Sequence, residues 1–284
     1  MLGLLTKYVF LGAAQRRLYP SGPVILMYHR IGTPPVDAVD PFLYDAAAEL
    51  DRHLTEAKQA GLRVVSLAEA TAGGRPQPNT LAVTFDDGCL STLREALPVL
   101  VKHRVRAIQF IVSGRIGGLN EWDISKDDVP TPLMDAAQIR EWLAAGQEIG
   151  SHTVTHRNLR KVKPEQARRE IFDSKKHLED RFGVPIHHFA FPYGGWREPG
   201  IRELVREAGY HSACVTDFGV STAPDELWNL RRVSPLTDAQ LLQKVWHRGL
   251  RQTRLRMGAG AILAPHLVHH AHHAHTVHRF FGHL

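Results

Sequence analysis

The chain places two neighbouring carboxylates at the end of an apolar run, in the stretch Thr84–Gly88, which reads TFDDG. The preceding residues 81–83 are apolar and predict a buried strand, so Asp86 and Asp87 follow its carboxyl end. Two adjacent carboxylates repel each other and are costly to bury unless a cation or a proton gives them different roles. The pair therefore points to a bound cation or a shared proton at this strand end.

Short β-rich runs alternate with helical periodicity on both sides of this pair. The pattern predicts helices over 47–60 and 164–182, and strands over 24–28, 64–66, 82–85, 107–112, 148–150, 189–191, 213–216 and 230–233. Repeated strand-then-helix order favours a parallel sheet, and this many units favours closure into an α/β barrel. In such barrels the chemistry lies at the carboxyl ends of the strands, where Asp86 and Asp87 are expected.

The composition is that of a globular protein with unusual ends. The chain has 284 residues, of which 43% are hydrophobic and 23% are charged, and its two cysteines cannot form a disulfide framework. We predict three parts: a basic amphipathic segment over 1–20, a barrel over 21–245 and a basic His-rich tail over 246–284. The tail includes eight histidines between Ala264 and Leu284, which suit a flexible or loosely helical extension able to bind transition metals.

The net charge of +6 comes from the two end segments, which together carry eight Lys and Arg residues and no acid. The middle of the chain is therefore slightly acidic, which disfavours nucleic acid as a partner, whereas basic, partly apolar ends suit peripheral contact with an anionic membrane surface. In the N-terminal segment, Lys7 interrupts the apolar run and Arg16 and Arg17 follow it, unlike a secretion signal. We therefore favour a cytoplasmic or inner-membrane-associated location, with the cell envelope as the alternative.

A second motif supplies candidate ligands for a cation. Residues Ser151–His156 read SHTVTH, with His152 and His156 four residues apart. Histidines at this spacing can share one face of a helical turn, and a carboxylate from elsewhere would complete a three-ligand site with open positions. An isolated HxxxH is more often a pair of polar residues on an exposed turn, but together with TFDDG the metal site becomes the better interpretation.

A third motif is FAFPYGGW, residues 189–196, in which an apolar strand ends in Pro192-Tyr193-Gly-Gly. Such a rigid turn could direct backbone N–H groups and an aromatic ring into the cleft at the strand ends, although alone it is more often only structural.

The three motifs, in this order and spacing, resemble those of the polysaccharide deacetylases that share the NodB homology domain, the fourth family of carbohydrate esterases. The resemblance runs from about Pro23 to about Leu242. It implies a distorted (β/α) barrel of about seven parallel strands with one divalent metal, usually zinc. It also implies that Asp87, His152 and His156 bind the metal, that Asp86 is the general base, and that Pro192 and Tyr193 contact the substrate.

The general acid expected by this resemblance has no clear match after the third motif. The apolar run VILMYHRI places His29 at the end of an early strand, an order that resembles deacetylases of poly-N-acetylglucosamine exopolysaccharide systems. First and last strands are neighbours in a closed barrel, so either end of the chain can supply this residue. We assign His29 as the general acid; the alternatives are a strand-end histidine capped by backbone groups, and His266 as the acid.

The sequence also departs from the family pattern. The third motif commonly opens with an arginine that pairs with the catalytic base, and Ala190 stands at that position. Arg232, which we also include among the substrate-binding candidates, either replaces this arginine or is a surface charge. The fourth motif is unclear, so the acetyl pocket could be lined by Leu26, Met27 or Trp228.

Two functions remain open from the sequence. The first is metal-dependent hydrolysis of N-acetyl groups from an N-acetylhexosamine-containing polysaccharide or glycan precursor, a chemistry that would not distinguish chitin oligomers, poly-N-acetylglucosamine, peptidoglycan and lipid-linked precursors. The second is a noncatalytic glycan-binding or scaffold protein, which the missing arginine makes conceivable. Retention of both aspartates and both histidines favours the enzyme.

Overall fold

The computed structural model of the protein describes residues 22–126, 129–194 and 199–235. The predicted end segments 1–20 and 246–284, with His266, lie outside these residues, so the predicted division into three parts stays a prediction. Within the described ranges, no helix is long and apolar enough to cross a bilayer.

Seven parallel strands form a nearly closed barrel, which confirms the predicted fold. They are β1 Val24–Tyr28, β5 Thr80–Phe85, β6 Ile108–Ile111, β7 Glu148–Ser151, β8 His188–Ala190, β9 Ser212–Phe218 and β10 Leu230–Arg232, paired in that order. Strand β4 Arg63–Val64 pairs with β5 beside this path, and β2 Arg30–Ile31 pairs with β3 Tyr44–Asp45 in a separate small sheet.

Residue Val233, just after β10, brings the last strand beside the first. Its N–H donates to the Ile25 carbonyl at 2.7 Å, and its carbonyl accepts from the Met27 N–H at 2.9 Å. Residues from the two ends of the described chain therefore meet at one edge of the barrel mouth.

The helices lie between successive strands, as the alternating pattern predicts. They are α1 Ala47–Gln59, α2 Leu67–Ala70, α3 Leu97–His103, α4 Ala136–Ala144, α5 Pro164–Phe182 and α6 Pro199–Glu207. The predicted bounds of α5 are confirmed because both ends carry local signals. Proline occupies its first turn, and Gly183 ends it with a left-handed φ of 67°.

Alternate residues of the strands belong to two apolar clusters. In β5, Leu81, Val83 and Phe85 pack in the large cluster that includes residues of α1, α4 and α5, whereas Ala82 belongs to a smaller cluster drawn from six barrel strands and α2. The smaller cluster fills the barrel interior, because successive side chains of a strand point to opposite faces. In β7, a Cβ at Gly150 would lie 2.6 Å from the Phe110 ring, so only glycine fits there.

A buried histidine between α1 and β1 should make the stability of the fold depend on pH. His53 is 2% exposed, and its Nδ1 lies 2.8 Å from the Tyr28 hydroxyl. Burial, aided by the charge of Arg52, lowers the pKa of His53 to about 4. The unfolded chain therefore binds more protons than the folded chain between pH ~6.5 and the folded pKa.

We predict that this histidine contributes about 3 kcal/mol to the free energy of unfolding above pH ~6.5, and that the contribution is lost as the pH falls towards 4. His53→Gln keeps an acceptor for the Tyr28 hydroxyl but does not titrate, so its stability should fall less steeply over this interval. Chemical denaturation of both proteins without metal, from pH 7.5 to 4.5, measures the difference. Equal slopes would contradict the prediction.

Candidate active site and metal centre

Asp86 continues the series of β5 residues whose side chains point into the barrel. Ala82 and Thr84 face the barrel interior, and Asp86 comes two residues later, 1% exposed at the mouth. The Asp86 N–H donates to the Tyr28 carbonyl at 2.9 Å, and its carbonyl accepts from Gln109 Nε2 at 2.9 Å. Bonds to β1 and β6 thus hold the backbone of Asp86 on both sides.

Arg232 forms a bidentate ion pair with Asp86. Its Nη1 and Nη2 each lie 2.7 Å from one carboxylate oxygen, and the guanidinium is also held by the Val215 carbonyl and the Thr84 hydroxyl. Burial is the largest single influence and would raise the pKa of Asp86, but the charge and hydrogen bonds of Arg232, together with the neighbouring His152 and His29, outweigh it and hold this pKa below its ordinary value. Asp86 is therefore ionised at neutral pH although it is buried.

The pair between Arg232 and Asp86 supplies the arginine contact that Ala190 cannot make. Ala190 is completely buried in the barrel interior, and Arg232, 146 residues after Asp86, supplies the cation instead. Arg232 is 0% exposed, so of the two roles considered for it, the structure places it as the partner of Asp86 rather than on the surface. Both of its terminal nitrogens contact that carboxylate.

Asp87, His152 and His156 come together beside Asp86. One ligand atom from each residue lies within 4.8 Å of the other two, and all three side chains are buried. Asp87 Oδ1 is 3.2 Å from His156 Nε2 and 3.5 Å from His152 Nε2. The φ of 73° at Asp87 turns the chain sharply after Asp86, so the two acids point to different neighbours.

Hydrogen bonds to the Nδ1 atoms orient the imidazole rings of His152 and His156. His152 Nδ1 lies 2.8 Å from the Ala190 carbonyl, which can only accept, so this nitrogen carries the proton. His156 Nδ1 lies 3.2 Å from the Tyr193 hydroxyl, which can either accept or donate. A neutral His152 ring then has its lone pair on Nε2, and the Nε2 atoms of both histidines face Asp87, as in metal-binding histidines.

The three converging atoms suit a cation. Asp87 Oδ1 is buried, accepts no hydrogen bond from the described residues, and faces the Nε2 atoms of His152 and His156. Two imidazoles and one carboxylate form a donor set typical of catalytic zinc, with positions left for water and substrate. The residues present therefore fit the divalent metal implied by the sequence.

The loop that carries the histidines is not helical, so the predicted shared helical face is wrong. It follows β7, and Thr153 and His156 have φ values of 68° and 59°, which are unusual for residues other than glycine. Glu170 of α5 compensates by accepting from the N–H groups of Val154 and Thr155 at 2.9 and 2.8 Å, and from the Thr155 hydroxyl. A buried carboxylate thus holds the metal-site loop in its strained conformation.

His29 lies at the end of β1, across the mouth from the histidine pair. Its Nε2 is 3.9 Å from Asp86 Oδ2, and its side chain is 20% exposed. Burial lowers the pKa of His29, and the neighbouring aspartates only partly oppose this effect. The structure thus brings the predicted acid and the predicted base together, because β1 and β5 are adjacent.

The third motif contributes one exposed ring. Tyr193 has a left-handed φ of 57° and is 43% exposed, with its ring 4.8 Å from that of His156, whereas Pro192 is buried beneath it. Of the two substrate contacts predicted within this motif, Tyr193 is the exposed one.

A second aromatic residue at the site carries no sequence motif and was missed. Trp122, in the loop between β6 and α4, stacks on His156 with ring centres 4.1 Å apart and an interplanar angle of 22°.

Two of the three candidates for the acetyl pocket lie elsewhere. Trp228 donates to the Tyr210 carbonyl at the opposite end of the barrel, and Leu26 packs in the outer cluster. Of those three candidates, Met27 alone has the inward register of Ile25.

The Arg232–Asp86 pair yields a prediction about stability. We expect Arg232→Met to lower the free energy of unfolding by roughly 3–5 kcal/mol, because it leaves a buried carboxylate without its cation. Arg232→Met with Asp86→Leu should recover most of this loss. Lys102→Met, which breaks an exposed contact with Asp51, is the matched control and should have a much smaller effect. Urea denaturation tests all three, and a double variant as unstable as the single one would contradict the prediction.

Comparisons with known proteins connect this site to one family. The family described as polysaccharide deacetylase matches residues 73–213, which include Asp86, Asp87, His152, His156 and Tyr193. His29 and Arg232 lie outside this match.

Among individual relatives, YxkH of Bacillus subtilis (strain 168), which carries the name of a polysaccharide deacetylase, is 26% identical over 218 residues, or 75% of this chain and 71% of that protein. A chitooligosaccharide deacetylase of Rhizobium leguminosarum bv. phaseoli is 30% identical over 141 residues, 48% of this chain and 52% of that protein. The chain thus spans about half the length of the latter relative.

Solved structures share the fold over most of the described barrel. IcaB from Ammonifex degensii superimposes with a TM-score of 0.67 at 26% identity, covering 81% of this chain and 98% of that one. The Streptococcus pyogenes deacetylase PplD, solved in complex with acetate, has a TM-score of 0.63 at 22% identity, covering 79% and 98%. The family match over residues 73–213, together with the motif residues assembled at the barrel mouth, shows that the chain belongs to the polysaccharide deacetylase family.

Proposed function

We propose that the protein is a metal-dependent deacetylase that hydrolyses N-acetyl groups of a glycan containing N-acetylhexosamine. The observation that carries the proposal is the convergence of Asp87 Oδ1 and two imidazole Nε2 atoms beside a separate, ionised carboxylate, Asp86. A site for a cation next to a free base is the arrangement that hydrolysis of an amide requires. Relatives named as chitooligosaccharide and peptidoglycan-N-acetylglucosamine deacetylases support the class of substrate.

Asp87, His152 and His156 would hold the metal, and two imidazoles with one carboxylate favour zinc. When bound, a divalent ion supplies Lewis acidity, which lowers the pKa of water and polarises the acetamide carbonyl. The Nδ1 bonds to the Ala190 carbonyl and the Tyr193 hydroxyl keep both histidine rings oriented for this role.

Asp86 takes the proton of the attacking water. Arg232 keeps the carboxylate ionised and orients it through two bonds, so that Asp86 is ready to accept a proton although it is buried. One carboxylate is thus reserved for the metal and its neighbour for the proton, which answers why the sequence places two acids side by side.

His29 gives a proton to the leaving amine. Its Nε2 lies at the mouth of the barrel, 3.9 Å from Asp86, so acid and base flank the same small volume. Cleavage of the amide C–N bond then yields acetate and a free amine on the sugar. The backbone around Tyr193 lies on the other side of the cleft, where an N–H group could stabilise the oxyanion.

The noncatalytic alternative depended on the missing arginine at Ala190, and Arg232 now occupies the corresponding role beside Asp86. Contact of the basic end segments with an anionic membrane surface, and the location of the protein in the cell, stay predictions, because the end segments lie outside the described residues.

Metal content is the first measurement we propose. We expect the 284-residue chain, loaded with zinc and then freed of excess ions, to contain about one more zinc per chain than His152→Ala treated identically, because catalytic zinc needs three protein ligands. The His-rich tail is present in both proteins, so its contribution cancels. His188→Ala, which changes a buried histidine of β8 outside the site, is the matched control. Equal zinc in all three proteins would exclude the metal centre.

The second measurement is acetate release from N-acetylated glycans by Asp86→Asn. We expect the rate to fall by about 10²–10⁴-fold, because the base is lost, while zinc content stays the same. Wild-type protein that binds these glycans but releases no acetate, with an affinity that Asp86→Asn leaves unchanged, would instead establish the noncatalytic alternative.

A further inference from the structure

The loop between β6 and α4 contains a feature that the family motifs do not cover. Its two described arms form an antiparallel ribbon, in which the Gly117 N–H bonds to the Met134 carbonyl and the Leu133 N–H to the Gly118 carbonyl. At the tip, the turn Glu121–Lys126 carries Trp122 and Asp123. We refer to residues 120–124 as the tip turn.

The ribbon is attached to the backbone just after the two catalytic aspartates. The Met134 N–H donates to the Gly88 carbonyl at 2.9 Å, and the Leu90 N–H donates to the Pro132 carbonyl at 3.0 Å. These bonds fix the position of the tip turn relative to Asp86 and Asp87.

Asp123 makes a buried contact with the other side of the cleft. Its Oδ2 accepts from Arg30 Nη2 at 2.5 Å and from Asn120 Nδ2 at 2.7 Å. Asp123, Arg30 and Asn120 are 2%, 1% and 0% exposed. Since Arg30 directly follows His29, this ion pair joins the tip turn to the residue next to the proposed general acid.

Trp122 makes the second contact, on the metal side. Its ring covers one face of His156, while the Tyr193 hydroxyl holds Nδ1 of the same imidazole. Two adjacent residues of one turn thus reach the surroundings of His29 and His156, which follow β1 and β7 on opposite sides of β5 and β6.

We propose that the tip turn is a positioning element of the deacetylation, and that Asp123, through Arg30, sets the distance between His29 and the metal-binding histidines. A buried ion pair adds little net stability compared with apolar side chains of similar size, but it is directional and strict in its geometry. Such a pair suits a contact whose role is to locate one side of a cleft relative to the other. The proposal rests on the proposed function for its kinetic consequence, but not for its structural one.

The kinetic test compares Asp123→Asn with the wild-type protein. We expect kcat for acetate release to fall about 10- to 100-fold with KM within about twofold, because a misplaced acid affects the transition state more than substrate binding. Zinc content should not change. Asp51→Asn, which breaks a surface contact with Lys102 on the outside of the barrel, is the matched control and should keep full activity.

A second variant separates positioning from folding. Arg30→Met with Asp123→Leu replaces the buried ion pair by apolar groups and should restore stability to about that of the wild type. If Asp123 acts by position, kcat of this double variant stays low. Recovery of kcat together with stability would overturn the proposal.

A spectroscopic measurement keeps the inference testable if the protein releases no acetate. In the metal-free protein, Asp123→Asn should shift the imidazole NMR signals of both His29 and His156, and leave those of His53 and His188 unchanged. Unchanged signals of His29 and His156 would overturn the proposal independently of any activity. Failure of acetate release in the wild type, with these shifts present, would count only against the proposed function.

Discussion

The bidentate pair between Arg232 and Asp86 is the interaction on which the centre of the barrel depends. It lies where β10 meets the start of the sheet, so it forms only when the ring of strands comes together. The pair lets a carboxylate stay charged in an interior that would otherwise favour its protonated form. With Asp86 neutralised by Arg232, Asp87 is available for a different cation, and the two acids can serve separate purposes one residue apart.

The metal-binding side is organised from outside the three ligands. The Ala190 carbonyl and the Tyr193 hydroxyl hold the Nδ1 atoms of His152 and His156, and Glu170 holds the strained loop between the two histidines. None of these partners needs the metal to be in place. The site is therefore preorganised, which lowers the conformational cost of binding an ion and keeps its open positions directed into the cleft.

Much of the fold and the candidate site could be predicted from local patterns. The apolar run before Asp86 predicted β5, helical periodicity over 164–182 predicted α5, and the order of strands and helices predicted the barrel. The shared helical face of His152 and His156 was wrong, because Thr153 and His156 adopt left-handed conformations that i, i+4 spacing does not reveal. Trp122 was missed since a lone tryptophan in a loop carries no periodic signal, and its stack on His156 depends on how the ribbon folds back.

By itself, the sequence determined which chemical groups stand at the ends of strands: Asp86 and Asp87, the histidine pair, His29 and Tyr193. Such groups follow from runs a few residues long, in which hydrophobic periodicity and turn residues act locally. Only the tertiary structure decided their partners. Arg232 reaches Asp86 across 146 residues, Tyr193 reaches His156 across 37, and Arg30 reaches Asp123 across 93. Contacts at these separations depend on barrel closure and on the backbone conformation of the loops at its mouth, neither of which a local pattern encodes.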